Sequence, residues 1–213
     1  MRRASRLFVP GASIADTVKL LGDIARSARS LGALWHPLGF VNLELGALNQ
    51  GTYRLHIWPQ YERHAKTPDW RIHTHVYDLE SFVVVGRITD RTYSVQSLGN
   101  TGNWLFGVRY NEEGSVLEPL GVEIAAKLEK ESTHSAFVRY QVARGVFHSS
   151  EVQPEELAIT VVKLTNSSGA HPLVVGDTHS PTSSFTYEQY AVSSELLDPL
   201  LTTIADRLST YLE

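Results

Sequence analysis

The strongest constraint in this sequence is a pair of histidines, His73 and His75, one residue apart in a β-branched and aromatic stretch. The pattern predicts a strand over residues 70–75, in which side chains alternate between the two faces of the sheet. Arg71, His73 and His75 then share one face, and the two imidazoles stand about 6–7 Å apart at the backbone. At that separation both rings can reach one metal ion at about 2.0–2.1 Å per nitrogen. The pair therefore predicts a metal site.

Composition narrows both the ligands and the setting of such a site. The chain has no cysteine, so a metal must be held by His, Asp or Glu, and a thiolate site is excluded. The net charge is −4 with no dense block of Lys or Arg, which argues against nucleic-acid binding. No apolar run approaches the roughly 20 residues needed to span a membrane, and the basic N-terminus meets Pro10 too soon for a secretory segment. We expect a soluble, cytoplasmic protein.

The hydrophobic pattern changes along the chain from helix to strands and back to helix. Apolar residues recur at helical spacing over residues 13–31 and 193–212, with Ser13 and Ser193 or Ser194 as candidate caps. Between them, short extended runs alternate with turn residues, and Gly86 is predicted to be a bend or bulge. Loops are expected over 60–69 and 166–184. The predicted strands cover 40–45, 52–58, 80–85, 87–96, 104–110, 116–131, 136–142 and 157–164.

This arrangement predicts a mainly β fold, a sandwich or barrel with helices at the ends. The sequence shows no internal repeat and no linker long enough to divide it. We therefore predict a single domain over residues 1–213, with the barrel over about 38–165.

Two segments resemble the paired motifs of the cupin superfamily. Residues 73–86 contain two histidines, a glutamate and a closing glycine in the order of the first motif, and residues 145–148 are similar to the glycine-to-histidine core of the second. The resemblance covers residues 52–164. It implies a double-stranded β-helix, a jelly-roll barrel that binds a metal inside its mouth. The ligands implied are His73, His75, Glu80 and His148.

Within the superfamily, the closest similarity is to the cysteine or thiol dioxygenase-like branch. Residues 54–59, 72–75 and 86–88, together with Tyr93, carry it. That branch has helices ahead of the barrel and is known for three-His iron sites. In typical cupins the motif glutamate is a ligand, whereas three-His members lack it, so the sequence leaves open whether Glu80 binds the metal.

Neutral imidazoles, with or without one carboxylate, suit Fe(II), Mn(II), Ni(II) or Zn(II). A three- or four-ligand site with open positions favours Fe(II) and oxygen chemistry. We therefore expect an Fe(II) dioxygenase or oxygenase that acts on a small organic acid or thiol bound in the barrel. Two alternatives stay open: a non-oxidative metal-dependent isomerase or lyase, and a non-catalytic cupin that binds a small molecule. Cupins of similar type are often dimers, so a homodimer is possible.

Two arginines are candidates for holding a substrate carboxylate. Arg71 shares the predicted inward face of the histidine pair, and its guanidinium could bind a carboxylate with two hydrogen bonds. An ion pair with Asp69, Asp78 or Glu80 at the barrel rim explains Arg71 equally well. Arg54 shares a predicted face with His56 and Trp58 and is a weaker candidate for the same role.

Other polar residues have less specific signals. Tyr77 and Tyr93 could place a hydroxyl near the metal, although most barrel tyrosines pack with the hydroxyl at an edge. His64 in a polar loop and His134 in a Ser/Thr-rich turn are expected to be exposed. His179 lies in a late loop that could fold across the barrel mouth.

Overall fold

The computed structural model describes residues 7, 14–28, 31–48, 51–99, 101–177 and 182–209. Neither helix in these ranges is long and apolar enough to cross a bilayer. The helices are α1 (Ile14–Ala28) and α2 (Ser194–Ser209). The strands are β1 (Ala33–Trp35), β2 (Leu38–Gly39), β3 (Val41–Leu48), β4 (Gly51–Trp58), β5 (His64–Ala65), β6 (Asp78–Val85), β7 (Arg87–Ser97), β8 (Trp104–Asn111), β9 (Gly114–Ser135), β10 (Arg139–Val142), β11 (Phe147–Glu151), β12 (Ala158–Thr165), β13 (Leu173–Gly176), β14 (Phe185–Glu188) and β15 (Tyr190–Ala191).

The strands form two large antiparallel sheets. The seven-stranded sheet has the order β10-β6-β12-β4-β3-β1-β15, and the six-stranded sheet has the order β11-β7-β9-β8-β13, with β14 paired to β9. Strands β2 and β5 form a separate pair. Sequence neighbours are often not sheet neighbours, as in a jelly roll. The predicted mainly β, jelly-roll fold, with one helix before the strands and one after them in the sequence, is confirmed.

The outer face of the seven-stranded sheet is covered by the two helices. Strand β4 alternates Tyr53, Leu55 and Ile57 toward this side, and all three are buried. Leu21 of α1 and Leu201 of α2 belong to the same apolar cluster, so each helix buries one stripe against the sheet. The amphipathic pattern that predicted the helices thus serves sheet packing.

The inner faces of the two sheets enclose further apolar clusters. Trp58 and Val83 of the seven-stranded sheet meet Ile88 of the six-stranded sheet in one of them. A second contains Phe106 and Leu117. Polar side chains on the inner faces lie between these clusters, so the interior has a polar centre with apolar surroundings.

Several elements differ from the sequence-based expectation. Residues 70–75 are extended but do not form a regular strand, since their pairing is limited to isolated bridges at His73. The predicted loops 60–69 and 166–184 contain the short strands β5 and β13, and the predicted strand 136–142 begins only at Arg139. Strands β1, β13, β14 and β15 lie outside residues 38–165. The helix-end predictions at residues 13, 29, 30 and 210–212 fall outside the described residues.

Gly86 makes the sharp connection between β6 and β7 that the sequence predicts. Its φ is +74°, a left-handed conformation that residues with a Cβ rarely adopt. A Cβ at this position would also overlap the backbone carbonyl oxygen of Leu157. Both the backbone angle and the close approach therefore require glycine.

We predict that Gly86→Ala destabilises the fold by about 3 kcal/mol or more, because conformational strain and a backbone clash add. Gly102→Ala is the matched control. Gly102 has the same φ of +74°, but a Cβ there meets no atom within 4 Å, so only about 1 kcal/mol is expected. Urea unfolding of both variants measures the difference. Equal losses would show that the approach of Leu157 does not matter.

Candidate metal centre

The segment of residues 72–75 lies between the two end strands of the six-stranded sheet. On one side, His73 and His148 of β11 exchange both backbone hydrogen bonds, each at 2.9 Å. On the other side, the Thr74 N–H donates to the carbonyl of Leu173 in β13 at 2.8 Å. Because β11 and β13 are the ends of the strand order, the segment makes the hydrogen-bonded path continuous around this sheet.

This pairing brings three imidazoles together. His73 and His148 are directly opposite each other, so their side chains stand on one face, and His75 shares that face two residues further on. Ring centroids are 4.6 Å apart for His73 and His148, 4.8 Å for His73 and His75, and 4.9 Å for His75 and His148. One ring nitrogen from each lies within 4.8 Å of the others. The structure therefore gathers three of the four side chains that the motifs suggested.

Hydrogen bonds orient two of the three rings. His148 has a side chain only 3% exposed, and its Nδ1 lies 2.9 Å from Oδ1 of Asp90, which also accepts from the Ser150 hydroxyl. Nδ1 of His73 lies 2.8 Å from the carbonyl oxygen of Arg71. In both rings the acceptor fixes the proton on Nδ1 and leaves a lone pair on Nε2. This is the arrangement that metal-binding histidines use.

The fit to a metal ion rests on one ring nitrogen of His148. Nε2 of His148 is buried and has no hydrogen-bond partner among the described residues. Buried polar atoms are nearly always paired, so an unpaired one requires an explanation, such as a bound ligand or ion. A cation bound by one ring nitrogen from each of the three histidines would satisfy it, so the residues fit a metal.

Electrostatics keep the rings in the form that binds metals. Burial first, and then the neighbouring His148, lowers the pKa of His73 to about 3. Burial and the other two imidazoles also hold the pKa of His75 well below its usual value. Both rings are therefore neutral at pH 7, with their lone pairs available.

Glu80 does not join this group. It lies on β6, on the same face as Phe82 and Val84, which pack beneath the helices. Its neighbour in register on β12 is Lys163. Across the described residues, the metal-competent cluster consists of His73, His75 and His148 alone. The four-ligand set is not assembled, because Glu80 follows His75 by five positions, an odd number, and side-chain alternation therefore places it on the opposite face.

Arg71 is directed to the surface rather than to the cavity. Its side chain is 50% exposed and forms an ion pair with Asp69 at 2.7 Å, with Glu151 3.8 Å away. The rim ion pair with Asp69 is thus the alternative that the structure supports, and the carboxylate-clamp role of Arg71 stays a prediction.

The two tyrosines have different positions. Tyr77 lines the cavity, with its ring stacked on His75 at 4.9 Å and 15°. The Tyr93 hydroxyl is 3.1 Å from Oγ of Ser149, which follows His148 and so faces the other side of β11. The prediction that Tyr93 places a hydroxyl near the metal is therefore wrong.

A cavity of about 480 Å³ opens beside the histidine cluster. His73 and His75 form part of its wall, together with Tyr77 and Arg54. His36 also lines it, and sequence reasoning did not identify this residue. His36 precedes the tight turn that leads into β2. Nothing in its local sequence signals a position on the same cavity wall as His73 and His75, which are 37 and 39 positions further along the chain.

Three other histidines had individual predictions. The His64 side chain is 56% exposed, as expected. His134 lies in β9 rather than in a turn and is half-buried, with its ring stacked on Tyr140 at 4.2 Å. The expectation that His134 is exposed is wrong, because the strand continues through the Ser/Thr-rich stretch. His179 lies outside the described residues.

Comparison with known proteins adds fold neighbours but no family. No family model and no curated protein matches this sequence. Among solved structures, similarity is found to hydroxypropylphosphonic acid epoxidase from S. wedmorenis (11% identity, TM-score 0.38, 65% of this chain and 56% of that one). Similarity is also found to hydroquinone 1,2-dioxygenase from Sphingomonas sp. TTNP3 (11% identity, TM-score 0.33, 59% of this chain and 65% of that one). A third similar structure is the Drosophila melanogaster CENP-C cupin domain (11% identity, TM-score 0.35, 72% of this chain and 99% of that one).

These likenesses are too distant to carry a functional conclusion. The aligned part spans 56% and 65% of the two enzymes' own lengths. None of the three is described as a thiol dioxygenase, so the closer resemblance to that branch stays a prediction.

We predict that Asp90→Asn weakens metal binding by about 10–100-fold, because an amide can present its N–H to Nδ1 and displace the proton that fixes the ring. Competition with a chromogenic chelator measures the affinity. Asp198→Asn, at an exposed position of α2, is the control and should bind as the parent does. Unchanged affinity in Asp90→Asn would contradict an orienting role for Asp90.

A second prediction concerns acid stability. His56 lies on the inner face of β4, 4.8 Å from Phe40 by ring centroids, and burial followed by the Arg54 charge lowers its pKa to about 3. Between pH 6.5 and 3 the unfolded chain binds a proton at this residue that the folded chain does not. The free energy of unfolding should fall by about 1.4 kcal/mol per pH unit across this window for each such group.

Urea unfolding between pH 7 and 4 tests this expectation on metal-free protein. His56→Gln should lose less stability over the range than the parent chain. His171→Gln, at an exposed position, is the control and should follow the parent. Identical slopes for all three proteins would contradict the assignment.

Proposed function

We propose that this chain is a metal-dependent oxidoreductase that holds one Fe(II) ion between His73, His75 and His148. Its substrate is a small organic acid or thiol bound in the adjoining cavity. The observation that carries the proposal is the convergence of three imidazole nitrogens within 4.8 Å, one of them the buried and unpartnered Nε2 of His148.

The ligand set supports iron and oxygen chemistry. Three protein donors leave positions free for two further molecules, which is the arrangement that mononuclear non-haem Fe(II) oxygenases need. The separation of Glu80 from the cluster is consistent with the three-His set of the thiol dioxygenase-like branch. When bound, the ion would supply activation of dioxygen and of a substrate donor atom.

The protein's own residues orient the histidine rings and line the cavity beside them. Asp90 holds the ring of His148 in one tautomer, and the carbonyl of Arg71 does so for His73. The cavity walls include Val108 and Val174, whose apolar side chains limit water near the cluster. These groups orient two of the histidine rings and give the cavity an apolar wall.

Tyr77 supplies a hydroxyl at the cavity wall. Burial raises the pKa of Tyr77, and the positive charge of Arg54 opposes that shift without reversing it. The phenol is therefore neutral at pH 7 and can donate a hydrogen bond into the cavity. Its stacking on His75 holds the ring in place.

We predict that His75→Ala abolishes stoichiometric metal binding, because two donors cannot replace three at the same affinity. His64→Ala removes an exposed imidazole and should keep the parent's metal content. Elemental mass spectrometry on protein purified without a polyhistidine tag measures both. Equal metal content in the two variants would refute the site.

Oxygen uptake tests the reaction class. Protein loaded anaerobically with Fe(II) is exposed to oxygen in the presence of a panel of small thiols and carboxylic acids, and consumption coupled to product formation is expected for at least one. The same protein loaded with Zn(II), which has no redox chemistry, is the control. If Fe(II)-loaded protein consumes no oxygen with any substrate, the oxygenase proposal fails and a non-oxidative metal enzyme or a binding protein takes its place.

A further inference from the structure

Arg54 is a cation of the cavity wall with donors left over. It lies on the inner face of β4, and its Nε is buried without a hydrogen-bond partner among the described residues. The nearest carboxylate belongs to Glu44, whose Oε2 is 4.0 Å from Nη2, too far for a hydrogen bond. The Arg54 side chain is 30% exposed, whereas that of Glu44 is 62% exposed. Glu44 therefore leaves most of the guanidinium unsatisfied.

Tyr77 lies between Arg54 and the histidine cluster. The Arg54 guanidinium is close enough to the Tyr77 hydroxyl for its positive charge to oppose the rise in the pKa of that phenol. Tyr77 in turn stacks on His75, with ring centroids 4.9 Å apart. The guanidinium thus lies one tyrosine away from a candidate metal ligand, along the wall of the same cavity. A small molecule that reaches the cluster can also reach Arg54.

His36 offers a second donor on this wall. The backbone N–H of Leu38 donates to Nδ1 of His36 at 3.2 Å, so the proton of the neutral ring is on Nε2. The ring is held by stacking on Phe40, with centroids 4.2 Å apart and planes at 11°. Because His36 lines the cavity, its N–H is a fixed donor beside a cation. Two such groups form a site for an anionic oxygen rather than for a neutral or cationic group.

The rest of the lining matches an apolar body. Val108, Leu117 and Val174 come from one buried apolar cluster and reach the cavity surface, and Trp70 packs against the same cluster. Burying apolar ligand surface against them is favourable at about 25 cal/mol per Å². The cavity therefore combines an anion-binding wall with an apolar wall.

We propose that the cavity binds a small carboxylic acid with an apolar body, whose carboxylate is held by Arg54 and the Nε2–H of His36. The inference rests on the proposed function for its place in catalysis and narrows the substrate from acid or thiol to an acid. Arg54 is the specificity-determining residue. An unpaired guanidinium in the cavity wall, with its Nε buried, carries a desolvation cost. A bound carboxylate reduces that cost more than a neutral isostere does.

Calorimetry with 3-phenylpropionate and its neutral analogue 3-phenylpropanamide tests the proposal. The full chain is titrated both metal-free and loaded with Zn(II). We expect the parent protein to bind the carboxylate at least 10-fold more tightly than the amide in both forms. A preference seen without metal comes from the protein wall, because no ion is present to bind the carboxylate.

Arg54→Gln should lose about 10–100-fold in carboxylate affinity, the effect of removing one charged hydrogen-bond partner, with amide affinity unchanged. Arg71→Gln is the matched control: it removes the same charge from an exposed, surface-paired position and should bind both ligands as the parent does. Arg54→Lys should recover part of the affinity, since it keeps the charge but loses the planar pair of donors.

Two results would overturn the proposal: equal affinity of the parent for carboxylate and amide, or undiminished carboxylate affinity in Arg54→Gln. The first needs no variant, so a folding defect in Arg54→Gln cannot obscure it. Metal content measured on the same samples separates this inference from the proposed function. Carboxylate preference without metal binding would refute the proposed metal enzyme and support the acid site. Metal binding without carboxylate preference would support the metal site and refute the acid site.

Discussion

The mutual pair of backbone hydrogen bonds between His73 and His148 is the interaction on which the candidate site depends. It joins two segments 75 positions apart in the sequence and fixes both side chains on one face. A slip of one residue in this register would turn His148 to the opposite face, where Ser149 and Tyr93 meet. The cluster is therefore a product of strand register, and the geometry of its nitrogens is set before any ligand arrives.

Unpaired polar atoms concentrate on the inner faces of the sheets. Within the described part of the chain, the buried side-chain atoms without partners are Oδ1 of Asn42, Nε of Arg54, Oγ of Ser81, Nε2 of His148 and Oγ1 of Thr160. Asn42 and Thr160 are both in register with His56, so three neighbouring strands bring polar groups to one region. Such atoms destabilise an empty fold by about 1–3 kcal/mol each. Asn42 and Arg54 line the cavity, and unpaired atoms in such a wall are the pattern expected where stability is given up for ligand binding.

The sequence predicted the parts of this site that follow from local alternation. The His73 and His75 spacing needs only an extended backbone, and that condition holds even though no regular strand forms there. Glu80 is separated from His75 by an odd number of positions, so the same alternation that joins the two histidines places the carboxylate on the opposite face. The choice between Arg71 and Arg54 depended on which extended segment faced inward, which only the sheet register decides.

The terminal helices and most strands were predictable because their apolar periods are long and regular. Strand β13 was not, since Leu173–Gly176 is a run of four residues within a stretch rich in Ser, Gly and Pro. Its pairing with β8 stabilises it through contacts distant in sequence. His36 likewise reaches the cavity through the turn before β2, which no periodicity describes.

Strand β13 also decides how much of the chain the histidine cluster needs. The resemblance that identified the histidines ends at residue 164, yet the second edge of the segment containing His73 is hydrogen-bonded to Leu173. The hydroxyl of Thr74 also accepts from the Leu173 N–H at 2.9 Å. A chain shortened after Thr165 would keep every histidine of the cluster while leaving the peptide groups of residues 72–74 without their partners on that side. The smallest portion able to hold the three rings in place is thus longer than the portion that contains them.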